Sequence, residues 1–432
     1  MKMNQHLVLG IREHWGQDLP FTLSVPDRRH HLYTVGKSGT GKTTLLRNMI
    51  LQDIEAGRGV GVIDPHGDLA NDLLDHIPRS RIEDVAYFDP ADLEHPVGLN
   101  LLGHVPEDRR HLVASGVVGA LKGIWPDSWG PRLEYILYAA VAAILDCQNV
   151  SLLGVQRMLS DPRYRAWVVK QVKDPAVRSF WANEFESYDK GFLHEAVAPI
   201  QNKVGQLLMS PHLRNILGQV RNRIDARFMM DSGRIFIANL SKGKLGADKA
   251  NLIGALLVTQ FQLGAMARAD VPEEERREFF LYVDEFQSFV SDSFAAILSE
   301  ARKYRLCLTL SHQYLAQVKP EILDAVLGNV GSIVAFRVGH HDAVTLEKTF
   351  GEGHRAGQFT SLSNGEVCAK ILTDGQDTEP FLGRTLPPYG KRYGKRATIL
   401  RRSRERFSVD RRIIEGRIES WMRRSKALWP GN

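Results

Sequence analysis

Cysteine is scarce in this chain of 432 residues. Only Cys147, Cys307 and Cys368 are present, far apart and odd in number. Such a set does not match the disulfide framework of a small secreted protein, and no two cysteines have the close spacing of a zinc site. The reducing cytosol is the simplest setting for a chain of this kind.

Long uninterrupted apolar runs are also missing. The longest, residues 135–145, has a carboxylate on each side and is too short to cross a bilayer. Residues 252–267 form a longer apolar stretch that is broken by three polar residues, as in a buried amphipathic helix. No apolar signal segment follows the first residues. We therefore expect a soluble protein without a transmembrane segment, cytoplasmic or peripheral at the inner face of the cell membrane.

Charge is unevenly distributed along the chain. The segment from Arg384 to the end holds 15 Lys/Arg against 4 Asp/Glu, although the net charge of the whole chain is only +6. The remainder is therefore net negative, and the basic character belongs to the C-terminal tail. Such a tail indicates contact with nucleic acid or another acidic partner, or else a solvated basic helix.

One short glycine-rich segment carries the strongest chemical signal. Residues 36–43 read Gly-Lys-Ser-Gly-Thr-Gly-Lys-Thr and match G-x-x-x-x-G-K-[ST] at every fixed position. An apolar strand pattern precedes the segment, and a helix with an apolar face follows it. This order places backbone N–H groups around a phosphate at a helix N-terminus. We predict ATP binding by Gly36, Lys37, Ser38, Gly39, Thr40, Gly41, Lys42, Thr43 and Thr44, with Lys42 on the β- and γ-phosphates and Thr43 on Mg²⁺.

The pattern around this segment predicts an α/β fold. Short buried strands alternate with helices up to about residue 105 and again from about residue 219, which indicates a mostly parallel sheet. Between them, helical patterns follow one another without strands. We predict an ATPase domain from residues 1–105 and 219–400, an inserted all-helical domain at 106–218, and a basic helical tail at 401–432.

A second strand supplies two adjacent carboxylates. Residues 279–283 are apolar, and Asp284 and Glu285 follow directly. Asp284 would hold Mg²⁺ through water, and Glu285 would act as general base on the attacking water. An exposed strand end without a catalytic role is the alternative. The acidic pair favours a P-loop enzyme with a catalytic glutamate over a kinase or a GTPase.

Two further candidates lie around the next strand. Gln313 ends that strand and would lie beside the γ-phosphate as a sensor, unless it merely belongs to a helix-capping turn. Arg302, on the segment between the two strands, is our first candidate for an arginine that completes a neighbouring subunit's site, and Arg305 is the second. A solvated helix end is the alternative for both arginines.

These segments together resemble the FtsK–HerA superfamily of DNA-pumping ATPases, and within it the TraG/TraD-like coupling proteins of conjugation and type IV secretion. The resemblance covers about residues 32–382 and includes the glycine-rich loop, the strand end at 62–68, the acidic strand end, the Ala301–Tyr304 segment and the inserted helical domain. It implies a RecA-like P-loop NTPase fold, ATP and Mg²⁺ as ligands, and a homo-hexameric ring. It also implies DNA as a partner, together with secretion-channel or relaxosome proteins.

Several functions remain open at this stage. A DNA-translocating ATPase of a mobile element is the leading interpretation. The alternatives are a secretion ATPase that energises protein export without touching DNA, a HerA-like DNA-processing translocase, and a nucleotide-gated scaffold with slow turnover. Stimulation of ATP hydrolysis by DNA would separate the DNA motors from the other two.

Overall fold

The computed structural model describes residues 6–290, 294–351 and 355–423. Its chain forms two compact units. The first consists of residues 1–88, 226–241 and 264–402, and the second of residues 89–225, 242–263 and 403–432. Each unit is therefore assembled from segments that are distant in sequence.

Thirteen strands occur in the described residues. They are β1 (His6–His14), β2 (Gln17–Ser24), β3 (Leu32–Val35), β4 (Gly59–Asp64), β5 (Val85–Phe88), β6 (Ile235–Asn239), β7 (Phe279–Val283), β8 (Leu306–His312), β9 (Ser332–Ala335), β10 (Glu366–Lys370), β11 (Leu372–Thr373), β12 (Gln376–Asp377) and β13 (Phe381–Thr385).

The α-helices of the described residues are more numerous. They are α1 (Val25–Arg28), α2 (Lys42–Glu55), α3 (Asp68–His76), α4 (Arg110–Ile124), α5 (Pro131–Leu145), α6 (Leu153–Ser160), α7 (Pro162–Val169), α8 (Pro175–Ser179), α9 (Phe185–Ser187), α10 (Lys190–Met209), α11 (Pro211–Leu217), α12 (Ala226–Asp231), α13 (Lys242–Leu245), α14 (Ala247–Met266), α15 (Phe294–Glu300), α16 (Pro320–Asn329), α17 (His340–Phe350), α18 (Ala356–Ser361), α19 (Arg396–Phe407) and α20 (Arg411–Arg423).

An eleven-stranded sheet organises the first unit, in the order β2-β1-β13-β10-β9-β3-β8-β7-β4-β6-β5. The strands from β9 to β5 in this order pair in parallel, and β3, β4, β6, β7, β8 and β9 are buried along their whole length. Near-continuous apolar strands of this kind are typical of a parallel sheet covered on both faces. The predicted fold class, a mostly parallel sheet flanked by helices, is confirmed.

The sequence predicts a strand at residues 366–372, which corresponds to β10, but not the other strands at this side of the sheet. Strands β10, β13, β1 and β2 extend the parallel part by antiparallel pairing, and β2 is the terminal strand. Residues 6–24 thus form a hairpin of the same sheet. The alternating pattern of this hairpin is too short to predict its position in the sheet. That position depends on the pairing of β1 with the distant β13.

The second unit is helical. It contains α4 to α11, which correspond to the predicted insertion, together with most of α14 and the C-terminal helix α20. The boundaries differ from those expected from the sequence, because residues 403–423 pack with this unit and residues 89–105 also belong to it. In α20, Ile414 and Ile418 are buried, and this apolar stripe accounts for the packing of a segment that is otherwise strongly basic.

One helical stretch in the described residues, Ala247–Asp270, has the length and apolar composition to cross a membrane; it consists of α14 and the 3₁₀ turn that follows it. Two-thirds of its apolar window is buried within the protein, at 67%. Burial of this extent is typical of a core helix.

A buried charge cluster connects α1, the last turns of α2 and β7. Arg28 donates two hydrogen bonds to Asp53, at 2.7 and 2.8 Å, and the Tyr282 hydroxyl donates to the same carboxylate at 2.6 Å. Asp53 is fully buried and Arg28 is only 3% exposed. A buried ion pair is tolerated only when its remaining polar atoms are also bonded, as they are here.

We expect Asp53→Asn to lower the free energy of unfolding by about 3–5 kcal/mol, because it leaves the buried Arg28 guanidinium without a counter-charge. Tyr282→Phe, which removes only the hydroxyl, should cost roughly 1–2 kcal/mol. Urea unfolding of the two variants measures both values. Equal losses would show that the charge of Asp53 is not what this cluster requires.

Candidate nucleotide-binding site

The glycine-rich loop connects β3 to α2, as the sequence predicts. Gly41 is the residue before α2 and has a φ of 121°, a conformation that residues with a side chain rarely adopt. Gly36 lies against Phe336, and a Cβ atom at this position would come within 2.5 Å of the Phe336 Cβ. Backbone hydrogen bonds hold the loop between neighbouring strand ends, from Gly36 N to His312 O and from Lys37 N to Arg337 O.

Lys42 is the first residue of α2 and is 6% exposed. Its ammonium group donates to the carbonyl oxygens of Gly36 and Lys37, both in the loop itself. Burial lowers the pKa of Lys42, while the nearby Asp284 and Glu285 carboxylates raise it. A buried cation that is satisfied by its own loop is well placed to exchange these carbonyls for phosphate oxygens.

The other predicted loop residues divide by exposure. Lys37, Ser38 and Thr43 are exposed and Thr44 is half-buried, whereas Thr40 is buried and its hydroxyl donates to Lys37 O at 2.7 Å. Thr40 O in turn accepts from Gly365 N at 2.9 Å, which ties the loop to the antiparallel part of the sheet. The loop is therefore fixed through the buried Thr40, while Lys37, Ser38 and Thr43 remain accessible to a ligand.

Asp284 follows β7 at the same edge of the sheet. It is 6% exposed, and burial raises its pKa to about 6. The Asp64 carboxylate at the end of β4 acts in the same direction, whereas the Ser311 hydroxyl and Lys42 lower this pKa. The fold thus gathers acidic groups in a poorly hydrated place, where a cation would be favourable.

Glu285 adopts a left-handed backbone conformation, with φ 48° and ψ 48°. One of its carboxylate oxygens accepts from the Gln313 amide at 2.8 Å, and the other accepts from the Gln287 amide. The structure therefore brings the predicted base and the predicted sensor into direct contact. A non-glycine residue in this conformation costs about 1 kcal/mol or more, and such positions cluster at functional sites.

Three residues around the site were not predicted from the sequence as site residues. Asp64 accepts from His66 N in the turn before α3 and from Ala70 N in the first turn of α3, each at 2.9 Å. Gln287 lies two residues after Glu285, and no spacing rule indicates it. His312 is buried against Phe286 and hydrogen-bonds the Tyr33 hydroxyl, and burial lowers its pKa to about 3. The neutral His312 imidazole therefore packs against Tyr33 and Phe286 beneath the strand ends that carry the site residues.

Arg302 and Arg305 lie at the opposite edge of the sheet. Both precede β8, whereas Gln313 follows it, and the seven residues of β8 span about 20 Å. Arg305 is 12% exposed and bonds Glu278 at 2.7 Å. Arg302 is exposed, with its guanidinium 3.2 Å from His30 Nδ1. Neither arginine can reach the glycine-rich loop of its own chain.

The donor set suits Mg²⁺ with a nucleotide. The Thr43 hydroxyl and the Asp284 carboxylate are oxygen donors of the kind that Mg²⁺ prefers, and buried Asp284 gains from a cation beside it. In the part of the chain that the structure describes, no cluster of three His, Cys, Asp or Glu could hold a metal by itself. The ion would therefore be shared with phosphate oxygens and water, as is usual for Mg²⁺.

Comparison with solved structures places this geometry among known folds. The bacterial conjugative coupling protein TrwBdeltaN70, in its unbound monoclinic form, has a TM-score of 0.60 at 13% identity over 91% of each chain. The plasmid coupling protein TrwB in complex with ADP and Mg²⁺ has a TM-score of 0.58 at 15% identity, over 91% of this chain and 97% of that one. The chain shares the fold of conjugative coupling proteins.

A further structure with this fold is VirB4 of Thermoanaerobacter pseudethanolicus. Its TM-score is 0.55 at 12% identity, and 91% of this chain and 98% of that one are covered. No protein-family model matches the chain. No curated protein matches its sequence. The resemblance seen in the sequence is thus confirmed at the level of the fold.

The buried Asp284 should make the nucleotide-free protein less stable as pH rises. Its pKa is 3.8 ordinarily and about 6 in the folded state, so the folded state binds the proton more tightly. The ionisation cost is absent below about pH 4, grows between pH 4 and 6, and reaches about 3 kcal/mol above pH 6. Asp284→Asn should therefore stabilise the protein by about this amount at pH 7.5, and by clearly less at pH 4.5.

Urea unfolding of the wild-type protein and of Asp284→Asn at pH 7.5 and pH 4.5 measures the free energies of unfolding. Asp18→Asn, at an exposed position of β2, controls for the loss of a carboxylate. A stabilisation by Asp284→Asn that is the same at both pH values would contradict the assignment of a raised pKa to this group.

Proposed function

We propose that this chain is an ATP-hydrolysing motor that moves DNA in a conjugative or type IV secretion-like system, as a homo-hexameric ring. The observation that carries the proposal is the convergence of Lys42, Asp284, Glu285 and Gln313 at the carboxyl edge of one parallel sheet. The shared fold with a plasmid coupling protein that was solved with ADP and Mg²⁺ supports it.

The site residues divide the work of hydrolysis among them. The loop N–H groups and Lys42 would hold the phosphates, and Mg²⁺ on Thr43 and Asp284 would neutralise charge on the phosphate oxygens. Glu285 would accept a proton from the attacking water. Each of its oxygens accepts one amide hydrogen bond, from Gln313 or from Gln287, which orients the carboxylate and leaves a second lone pair on each oxygen for the proton.

The hydrogen bond between Gln313 and Glu285 connects the sensor to the base. The Gln313 amide is the donor to Oε1, and a γ-phosphate beside this strand end would compete for the same N–H. Binding of ATP would thus remove a hydrogen bond that stabilises the charged carboxylate, and Glu285 would become a stronger base when the nucleotide is bound.

The position of Arg302 favours action between subunits. It lies at the edge of the sheet opposite its own nucleotide site, so only the site of another copy is within reach. Arg305 is the weaker candidate, because its guanidinium is already bonded to Glu278 and only 12% of the side chain is exposed. In a ring, Arg302 would stabilise the charge that develops on the neighbour's γ-phosphate.

The ATPase assignment is tested with wild-type protein and Glu285→Gln, with and without DNA. Wild-type protein should hydrolyse ATP, and DNA should raise the rate. Glu285→Gln should bind ATP yet lose roughly 10²–10⁴-fold in turnover, because an amide cannot take the proton. Lys42→Ala should in addition weaken ATP binding, because the phosphates lose a buried positive charge.

Glu300→Gln, an exposed carboxylate at the end of α15, is the matched control and should behave as wild type. Normal turnover in Glu285→Gln would remove Glu285 as the base. Fast ATP hydrolysis that DNA leaves unchanged would favour the second candidate, a secretion ATPase that energises protein export. The fold shared with VirB4 is the observation on which that candidate rests.

Arg302→Ala should lower turnover by roughly 10³–10⁵-fold, with little change in ATP affinity of the single subunit. Lys303→Ala, the exposed neighbour, is the control. Mixing Arg302→Ala with Glu285→Gln subunits should restore part of the activity, since an intact site can then meet an intact arginine. Near-normal activity of Arg302→Ala alone would exclude it from this role.

A further inference from the structure

A groove in the helical unit combines four arginines from two distant parts of the chain. It has a volume of about 830 Å³ and lies between α20 and the segment that follows α11. Arg221 and Arg223 come from that segment, and Arg412 and Arg417 come from α20. No Asp or Glu is among the described residues that line it. The groove therefore has a concentrated positive charge without an internal counter-charge.

The carboxylates of α20 are engaged elsewhere. Glu415 accepts from Arg411 at 2.9 Å and from Asn215 at 3.2 Å, and Glu419 pairs with Arg423. Arg411 also bonds Glu94, at 3.1 Å. Acidic and basic groups thus cancel on the other sides of the helix, while Arg412 and Arg417 are exposed beside the groove.

Both walls of the groove are held in place by contacts within the helical unit. On the α20 side, Arg157 donates to Trp421 O at 3.1 Å, and its guanidinium lies 4.8 Å from the centre of the Trp421 ring. On the other side, Arg223 N donates to Gly98 O at 2.9 Å. A Cβ atom on Gly98 would come within 2.7 Å of Arg221 O, so the two segments are in close contact. The groove is therefore formed before any ligand arrives.

The remaining lining is more apolar than polar. The side chains of Asn149, Ser151 and Ser420 offer hydrogen-bonding groups, whereas the Gln219 amide nitrogen already donates to Pro96 O and Asn215 O. The apolar members of the lining are Leu153, Val220, Val409, Ile413, Ile414, Ile418 and Trp421. Guanidinium groups bind phosphates through two parallel hydrogen bonds, and polar side chains add phosphate and sugar contacts. Apolar surface between the arginines suits the sugars and bases of an unpaired strand.

We propose that this groove binds a single strand of DNA through its phosphates, with Arg412 and Arg417 on one wall and Arg221 and Arg223 on the other. The proposal rests on the proposed DNA motor and adds to it a strand-binding surface on the helical unit. It also limits the role of the basic tail: two arginines of α20 contact the strand, whereas Arg411 and Arg423 hold their own carboxylates.

The test compares Arg412→Ala/Arg417→Ala with the matched double variant Arg392→Ala/Arg401→Ala in the full chain. The second pair removes the same charge from exposed positions of the same basic tail that lie outside the groove. A fluorescent single-stranded oligonucleotide is titrated at several salt concentrations. The groove variant should bind about ten-fold more weakly near 0.15 M salt, and its salt slope should fall by about 1.4, which is 0.7 for each phosphate contact.

A second variant, Arg221→Ala, tests the opposite wall and should reduce the slope by about 0.7. Circular dichroism and thermal unfolding show that each variant is folded. Equal losses in the groove variant and the control variant would overturn the proposal. So would unchanged DNA binding together with lost binding of polyglutamate, since the groove would then serve an acidic peptide. Failure of the DNA motor itself is distinct, because wild-type protein would then bind no DNA.

Discussion

The parallel pairing of β8 between β3 and β7 is the constraint on which the candidate site depends. Val35 lies opposite His312, and Val283 lies opposite Leu310, so all three strands end at the same edge. The glycine-rich loop, the acidic pair and Gln313 follow those ends directly. The same direction of β8 places Arg302 at the other edge, which is why an arginine close in sequence is distant from the site of its own chain.

Burial at that edge has a cost that the rest of the unit must offset. Asp284 and Lys42 are both nearly inaccessible to solvent. Burial raises the pKa of Asp284 and lowers the pKa of Lys42, so it disfavours the charged form of each. Glu285 adds an unfavourable backbone conformation. The Arg28–Asp53 pair joins α1 and α2 to β7, because the Tyr282 hydroxyl donates to Asp53 and accepts from Arg28. A cluster in which each of these groups is hydrogen-bonded helps to offset the cost of the site.

The C-terminal segment is rich in Lys and Arg, but ion pairs reduce the charge that is available to a ligand. The excess of Lys and Arg is plain from the sequence, and it predicts an acidic partner for the segment as a whole. Among the described residues of this segment, some arginines bond carboxylates, such as Arg404 with Asp92, whereas Arg412 and Arg417 line a groove that has no carboxylate in its lining. The groove concentrates their charge for a ligand. Arg221 and Arg223, outside the basic segment, gain the same significance through their position.

The sequence by itself determined the parts of this protein that depend on local order. A strand, a glycine-rich turn and a helix are contiguous, so the loop between β3 and α2 was predictable, and the apolar run before Asp284 and Glu285 was sufficient to predict β7. Tertiary structure alone decided which distant residues meet. Four contacts join segments that no local sequence pattern relates. They are the pairing of β1 with β13, the hydrogen bond of Gln313 to Glu285, the packing of α20 in the helical unit and the ion pair of Arg305 with Glu278. Long-range packing selects these contacts because burial and polar pairing must be satisfied over the whole fold at once.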